Sequence, residues 1–363
     1  FSGNRIGPSE RNEKSMMELN GKRIVVTFLM HLGDVVLTTP FIHALRKIAP
    51  DSHITYVIDK KLADIYRCNP YIDELIEVDK KGVHNSIPGL NQIAKQVRSA
   101  GPVDVLINLH PNERTSYLAW KIGAKKTTGM SHFLFQPFMT KVTRFNRKTI
   151  HAAEMYMNVL EQLGYLVEHA GLELFTSSEW EETARKFYES HGVVDTDRVI
   201  GFNIGSAVPE KRWPKERFAH VADTLAKEGY TIVFFGGPMD VEMVQDVLDV
   251  MKEPAIKGAG AFSIGELAAA MRRCICIVTN DSGPMHVAVS QKVPVVALYG
   301  PSNPSLYGPF TEDAIVLETM DSYDVNKNMN QVLRSGKYKG LSVIQEPEVL
   351  NAVHTVLDRK GKK

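Results

Sequence analysis

Short apolar runs alternate with longer amphipathic stretches along almost the whole chain. Residues 23–28, 53–58, 75–78 and 103–109 read as strands destined for burial. Helical spacing lies between them, through Val35, Leu37, Phe41, Leu45 and Ile48, then over 61–67 and 93–99. Pro40 marks a kink or a late helix start. A polar turn, His110-Pro111-Asn112-Glu113-Arg114, leads into a helix through Tyr117, Leu118 and Ile122, and 151–163 forms another. A weakly patterned passage over 166–178 closes this half, and a helix over 179–190 suits either side of it. The alternation then restarts, with strands over 198–204, 231–235, 275–278 and 293–298 and helices over 215–228, 241–251 and 264–273.

This pattern predicts an α/β protein of two doubly wound parallel sheets in tandem, with a cleft where the carboxyl ends of both sets of strands converge. The expected divisions are a first domain over 21–175, a second over 176–335, and a terminal segment over 336–363 whose helix (347–357) crosses back to the first domain. Residues 1–20 read as a disordered leader or expression remnant, the first fifteen being polar, with Met16 or Met17 as the natural start.

Composition narrows the class. A hydrophobic share of 44% with 23% charged residues is that of a globular protein, and a net charge of +1 gives no global field to attract nucleic acid. Basic residues gather locally at Lys121, Lys125 and Lys126 and at Lys141, Arg144, Arg147 and Lys148, as solvated surface or as a meeting point for an acidic substrate. Cys68, Cys274 and Cys276 make no disulfide framework and lack zinc-ligand spacing, which suits a reducing compartment. No apolar run approaches the ~18 residues of a membrane span.

The candidate chemistry follows strand ends. After the strand at 275–278, Asn280-Asp281-Ser282-Gly283 opens a short helix carrying Met285 and His286. Unpaired backbone N–H groups at that helix start suit a phosphate, and His286 lies one turn away; a plain turn with an N-cap is the competing reading. After 198–204 come Ser206, a hydroxyl donor, Lys211, a point cation, and Trp213-Pro214, a rigid anchor. After 231–235 comes Gly236-Gly237-Pro238-Met239-Asp240 with Glu242 behind it, a place for a carboxylate to meet ribose hydroxyls or to cap a helix. After the first strand, Gly33-Asp34 places a carboxylate beside a glycine. Gly258 to Ser263 lacks the third glycine of a dinucleotide fingerprint. Asp195-Thr196-Asp197 resembles a metal-binding D-x-D but precedes its strand, at the edge opposite the cleft, and so reads as a turn. There is no Walker sequence and no G-x-S-x-G elbow.

Three separated motifs resemble glycosyltransferase family 9, the ADP-heptose:lipopolysaccharide heptosyltransferases, over about residues 22–357. They are Gly33-Asp34-Val35-Val36-Leu37-Thr38-Thr39-Pro40, Lys211-Arg212-Trp213-Pro214, and Asn280-Asp281-Ser282-Gly283-Pro284-Met285-His286 with Tyr299-Gly300-Pro301. The second and third are closer to heptosyltransferase II than to heptosyltransferase I. The resemblance implies a GT-B fold of two Rossmann-like domains, the first binding acceptor and the second donor. It also implies metal-independent, inverting transfer of L-glycero-D-manno-heptose from ADP-heptose to the inner core of lipopolysaccharide at the inner membrane face, by a cytoplasmic enzyme without cofactor.

By position the resemblance makes Asp34 the catalytic base and makes Ser206, Lys211, Asp281, Ser282, Gly283 and His286 donor contacts. Asp240 or Glu242 takes the ribose or heptose carboxylate role and Phe262 meets the adenine, while Ala207 departs from a paired Thr of heptosyltransferase I. His110, Arg114, Lys125 and Arg144 are expected on the acceptor, an acidic Kdo-lipid A type molecule. A GT-B enzyme of another nucleotide-sugar, transferase or epimerase, and a non-catalytic sugar-nucleotide-binding protein are the other classes compatible with these residues.

Overall fold

The computed structural model describes residues 16–144, 149–319, 329–336 and 338–361. The leader expected at the start lies outside them as far as residue 15, as do Arg147 and Lys148 of the second basic cluster.

Two six-stranded sheets are built, each wholly parallel among the described residues. The first comprises β1 (Arg23–Thr27), β2 (His53–Asp59), β3 (Glu74–Val78), β4 (Val105–Asn108), β5 (Lys126–Gly129) and β6 (Lys141–Val142). The second comprises β7 (Val199–Asn203), β8 (Thr231–Phe235), β9 (Ile256–Lys257), β10 (Cys276–Asn280), β11 (Val295–Tyr299) and β12 (Ala314–Glu318). Their orders, β3-β2-β1-β4-β5-β6 and β12-β11-β10-β7-β8-β9, repeat one winding, with the strand order reversing beside β1 and beside β7. Such a reversal opens a crevice at the carboxyl ends of the strands. Four edge or near-edge strands extend the predicted sheets. β5, β6 and β9 are too polar or too short to leave an apolar signature, whereas β12 carries an Ala-Ile-Val-Leu run that the alternation reading leaves out.

The helix expected after β1 comes in two pieces, Leu32–Val36 and Thr39–Ile48, the second with its proline in the first turn, where a missing N–H costs nothing. Buried Thr38 fixes the break: its Oγ1 donates to Val35 O at 2.7 Å and bonds the hydroxyls of Tyr56 and Tyr66 at 2.9 and 2.8 Å. One continuous apolar cluster runs from Phe28, Val36 and Tyr156 through Leu172 and Leu174 to Val287 and Val289, so the domains share a core along one side. The linking passage is held from both directions. Glu173 accepts from His43 in the first domain at 2.9 Å, while Gln291 and Lys292 of the second donate to the carbonyls of Leu174 and Leu172.

Two boundary expectations are corrected. Met17 and Leu19, placed in the leader, are buried; Met17 N donates to Leu163 O at 3.4 Å and Tyr165 Oη donates to Met17 O at 2.6 Å. The fold therefore already includes Met17. The terminal helix, Glu346–Gly361, does not cross back: Val349, Ala352, Val353 and Val356 pack against Cys276, Val278, Val296 and Leu298 of the second sheet. Its apolar stripe covers a sheet face that would otherwise lie open. The helix Ser178–Ser190, left between the halves by sequence, docks on Ile264–Arg272 of the second domain, with Tyr188 Oη donating to Ala270 O at 2.8 Å.

Candidate active site

The polar residues ending β7 and β10 hold one another in place. Asn203 Nδ2 donates to Thr279 Oγ1 at 3.1 Å and to Ser282 Oγ at 2.8 Å. Asn280 Nδ2 donates to Ile204 O at 2.7 Å while its Oδ1 accepts from Trp213 N at 3.2 Å. Buried Trp213 is pinned at its other end by Nε1 to Ile344 O, 3.0 Å, so the anchor role expected of it is realised. Arg212 clamps the intervening loop, Nε and Nη2 both donating to Ser206 O at 2.9 and 2.7 Å. Asn280 and Arg212 stand inside sequence motifs without a role assigned to them, and Asn203 stands in none. Their signal is positional: amides at the carboxyl ends of two adjacent parallel strands, and an arginine directly after the candidate cation.

Ser282 caps the helix Gly283–Ser290 in backbone conformation only, its hydroxyl being spent on Asn203 and Asn280 O. The first-turn N–H groups therefore receive no side-chain cap. Ser206 is buried beside them, its Oγ donating to Asp281 O at 3.4 Å. Lys211 Nζ lies 2.6 Å from Asp281 Oδ2, a close electrostatic contact off the hydrogen-bond direction, with both side chains largely covered. The expected phosphate cation is thus paired in this structure, and the uncapped backbone supplies the positive end.

The two domains meet here. The start of the helix Leu32–Val36 lies against that of Gly283–Ser290: a Cβ placed on Gly33 would lie 2.9 Å from His286 Cδ2 and 3.4 Å from Gly283 Cα, and one placed on Gly283 would lie 2.9 Å from Leu32 Cβ and Cγ. Glycine at both positions lets two helix N-termini converge, a concentration of positive partial charge made for an anion. His286 is buried at this junction with no hydrogen bond to Nδ1, and burial pulls its pKa from 6.5 to about 4 against the opposing pull of Asp281 and Asp34. It is a neutral imidazole near pH 7.

Asp34 sits on the wall of a cavity of about 80 Å³ at the domain junction. Met30, Leu109, Met130 and Tyr156 line it from the first domain with His110, and Leu306 and Tyr307 reach in from the second. His31 Nδ1 lies 3.7 Å from Asp34 Oδ2, and this neighbour raises the His31 pKa above its ordinary value. Tyr307 is placed by its carbonyl, which accepts from Tyr299 Oη at 2.8 Å; that is a task for the Tyr299-Gly300-Pro301 motif. Lys80, also unremarked in the sequence, ties this rim together, contacting Asp59 at 2.9 Å and donating to Leu29 and Met30 carbonyls.

The remaining expected residues are scattered more widely. Asp240 Oδ2 accepts from Gly237 N at 2.8 Å and the carboxylate lies against Gly205, so it braces the loops after β7 and β8. Glu242 is exposed beyond it in the first turn of the helix Val241–Leu248, and Ala207 is exposed on the loop before Lys211. Phe262 is half-buried between Phe187 and Phe235, 4.7 and 6.3 Å away, forming an aromatic wall near the end of β8. Arg114 spends its guanidinium on Lys80 O and on Asn85, at 2.9 and 2.6 Å, holding a loop. Arg144 follows β6 at the cleft end of the sheet, whereas Lys125 precedes β5 and so lies at the opposite end, paired with Asp104 at 2.8 Å. Lys125 is therefore not brought to Asp34, because its strand runs away from it. Asp195-Thr196-Asp197 lies before β7, with Asp197 Oδ2 accepting from Val194 N at 2.9 Å, as a turn requires. A larger cavity, about 540 Å³, lies behind the helix Ser178–Ser190, where Arg185, Arg272 and Arg273 are all engaged by carboxylates or carbonyls.

Residues 91–336 match the model of glycosyltransferase family 9 (heptosyltransferase). The chain belongs to this family. It is 26% identical to lipopolysaccharide heptosyltransferase 3 of Escherichia coli K12 over 335 residues, 90% of this chain and 95% of that protein. The crystal structure of a family 9 glycosyltransferase from Veillonella parvula superposes with a TM-score of 0.92 at 63% identity, covering 95% of this chain and all of that one. E. coli ADP-heptose lps heptosyltransferase II superposes at 0.77 and 22% identity over 93% and 99%, which establishes the shared GT-B fold. The protein is thus a glycosyltransferase of family 9 with two Rossmann-like domains. Of the three motifs that carried the resemblance, the first and third meet across the domain junction at Gly33, Gly283 and His286, and the second reaches the third through Lys211 and Asp281.

Proposed function

We propose that this family 9 enzyme transfers L-glycero-D-manno-heptose from ADP-heptose to the inner core of a lipopolysaccharide, with inversion and without metal. The observation that carries the reading is the convergence of two helix starts, at Gly33 and Gly283, beside the cavity holding Asp34. The diphosphate takes the helix starts, with Ser206, Lys211, Asp281, Ser282, Gly283 and His286 around it. Phe262 stacks the adenine, and Glu242, with Asp240 behind it, meets the ribose or heptose hydroxyls. The acceptor sugar enters the cavity against His110 and Tyr307. Its hydroxyl attacks the anomeric carbon, its proton passes to Asp34, and the carbon–oxygen bond to the diphosphate breaks on the opposite face as charge develops on ADP. Neutral His286 supplies a dipole there without adding charge. Arg144, which follows β6 at the cleft end of the sheet, meets acidic groups of a Kdo-lipid A type acceptor at the cytoplasmic membrane face.

The test is ADP release from ADP-heptose in excess EDTA, with Kdo-lipid A acceptors offered with and without a first heptose. Turnover only on the heptosylated acceptor establishes an enzyme of the second type, which the Lys-Arg-Trp-Pro and Asn-Asp-Ser-Gly forms favour. Turnover abolished by EDTA and restored by a divalent cation refutes the metal-independent step. No turnover on either acceptor refutes the assigned substrates.

A further inference from the structure

We propose that the face formed by residues 114–144 is a docking surface for an anionic phospholipid membrane. The inference deepens the transferase reading, since a lipid-linked acceptor must be reached at a bilayer. In a chain with 43 basic and 42 acidic residues, this segment contains Arg114, Lys121, Lys125, Lys126, Lys141 and Arg144 and no Asp or Glu. The same segment supplies three of the four large aromatic side chains that are exposed among the described residues: Trp120 (42%), Phe133 (68%) and Phe138 (60%), joined by Leu134 (58%).

Trp120, Phe138 and Lys121 lie together, and Phe133 and Leu134 are exposed on the same passage as Phe138. Trp120, on the helix Glu113–Ile122, lies 5.8 Å from Phe138 and 6.3 Å from Phe135 of the 3₁₀ passage Phe133–Phe138, and Lys121 Nζ lies 5.7 Å from the Trp120 ring. An aromatic ridge with cations beside it is what a bilayer interface selects: rings settle at headgroup depth and ammonium groups at the phosphates. The charge over 114–144 is basic throughout, and the acidic groups bordering it are Glu113, 3.7 Å from His132, and Asp104, paired with Lys125; the net balance gives charge complementarity to an anionic leaflet. Some of the cations also serve the fold. Arg114 holds a loop, Lys141 donates to Gln162 O, and Lys125 pairs with Asp104 in an exposed contact. Lys121 and Lys126 carry the argument furthest, because Lys126 opens β5 at the end away from Asp34, where the acceptor sugar does not reach.

The ridge is continuous with the site. Met130 lines the Asp34 cavity, and two residues on, His132 N donates to Ser116 Oγ at 2.9 Å, bringing the passage back along the helix. The passage thus runs from the Asp34 cavity at Met130 to the exposed ridge, so a bilayer against the ridge is joined to the site by one short stretch of chain.

The experiment is flotation of the full chain with vesicles of phosphatidylcholine alone or mixed with phosphatidylglycerol, at rising NaCl. Wild type is compared with Phe133→Ser/Leu134→Ser/Phe138→Ser and with Lys121→Glu/Lys126→Glu, alongside urea unfolding midpoints and transfer to detergent-dispersed acceptor. The expected result is retention on phosphatidylglycerol vesicles that weakens with salt and falls on the order of tenfold in each variant, with unfolding midpoints and detergent-phase turnover unchanged. Should the serine variant fail to fold, the charge variant alone decides the matter, since Lys126 is exposed and Lys121 half-exposed. Equal retention on both lipids, no retention, or variants that float like wild type would each overturn the proposal, as would capture of an acidic protein with no vesicle binding. Vesicle binding is read without donor, so binding that behaves as expected with no heptose transfer sinks the substrate assignment and leaves the docking face. Transfer to vesicle-embedded acceptor that ignores both variants does the reverse.

Discussion

Acidifying the protein from about pH 7 to about pH 5 should cost about 2 kcal/mol of stability through one side chain, His286. Its folded pKa is about 4 against 6.5 in the unfolded chain, because burial disfavours the imidazolium more than Asp281 and Asp34 favour it; nearby His151 adds to the depression. Between those values the unfolded state binds a proton that the folded state refuses. Stability therefore falls as pH falls through 6.5, and the loss levels off only near pH 4. The full displacement of 2.5 pH units corresponds to about 3 kcal/mol, of which about 2 is already lost by about pH 5, before most carboxylates titrate. The assay is urea unfolding of wild type and His286→Gln at a series of pH values. Burial depresses His151 and the carboxylate of Asp34 raises His31 in both proteins, so only the difference between the two curves reports His286. Wild type should lose about 2 kcal/mol more than the variant between about pH 7 and about pH 5. Parallel curves would refute the claim that this imidazole is held neutral.

Three further outcomes are expected. Asp34→Asn should abolish most turnover, a loss on the order of 10²-fold or more, while the dissociation constant for ADP-heptose measured by calorimetry stays within about twofold; unchanged turnover removes Asp34 from the reaction. Lys211→Ala should weaken ADP binding on the order of tenfold to a hundredfold, since it removes a cation and leaves the Asp281 carboxylate unpaired beside the phosphates. Lys211→Ala/Asp281→Asn should recover part of the loss, and a double variant no better than the single one would place the cation elsewhere. Gly283→Ala should cost about 1–3 kcal/mol by forcing Leu32 off the helix start, visible as a lower melting temperature with a fall in turnover; a variant as stable and active as wild type would mean that the junction is loose.

The central strands were legible because burial on both faces writes itself as a continuous apolar run: β1, β2, β7 and β8 stand where the pattern put them. Short polar strands lose that imprint: Lys-Thr-Thr-Gly of β5, one strand in from the edge, is indistinguishable from loop. The pairing of the terminal helix with the second sheet was not legible, since its apolar stripe suits any open sheet face and sequence does not say which is left uncovered. In the site, chemistry was legible where it depends on residue type at a strand end, as with Gly33-Asp34 and Asp281 to His286. Partnerships were not. That Lys211 lies on Asp281, and that Arg212 rather than Lys211 grips the Ser206 carbonyl, depends on which of two adjacent side chains faces inward. Lys125 shows the same limit in strand direction: a cation at the start of a parallel strand and one at its end read alike in sequence, yet lie at opposite edges of the sheet.

Two glycines some two hundred and fifty residues apart in sequence make the junction possible, and the arrangement they allow is electrostatically incomplete. Helix starts carry partial positive charge, roughly half a unit for a long helix and less for the short one at Leu32, and like ends brought together repel. Within the protein, Asp281 is occupied by Lys211 and His286 is held neutral by burial, so Asp34, in the first turn of the shorter helix, is the carboxylate left to offset the converging N–H groups, and it does so only in part. An anion between the helix starts would remove the repulsion and bind the domains through the same contacts. If the donor diphosphate is that anion, its binding and domain apposition would be one equilibrium, favouring the arrangement in which Tyr307 and Leu306 of the second domain line the Asp34 cavity of the first. On the proposed assignment, the cavity that would take the acceptor is completed by the domain that would hold the donor, which is a physical reason to expect acceptor chemistry to wait for donor binding.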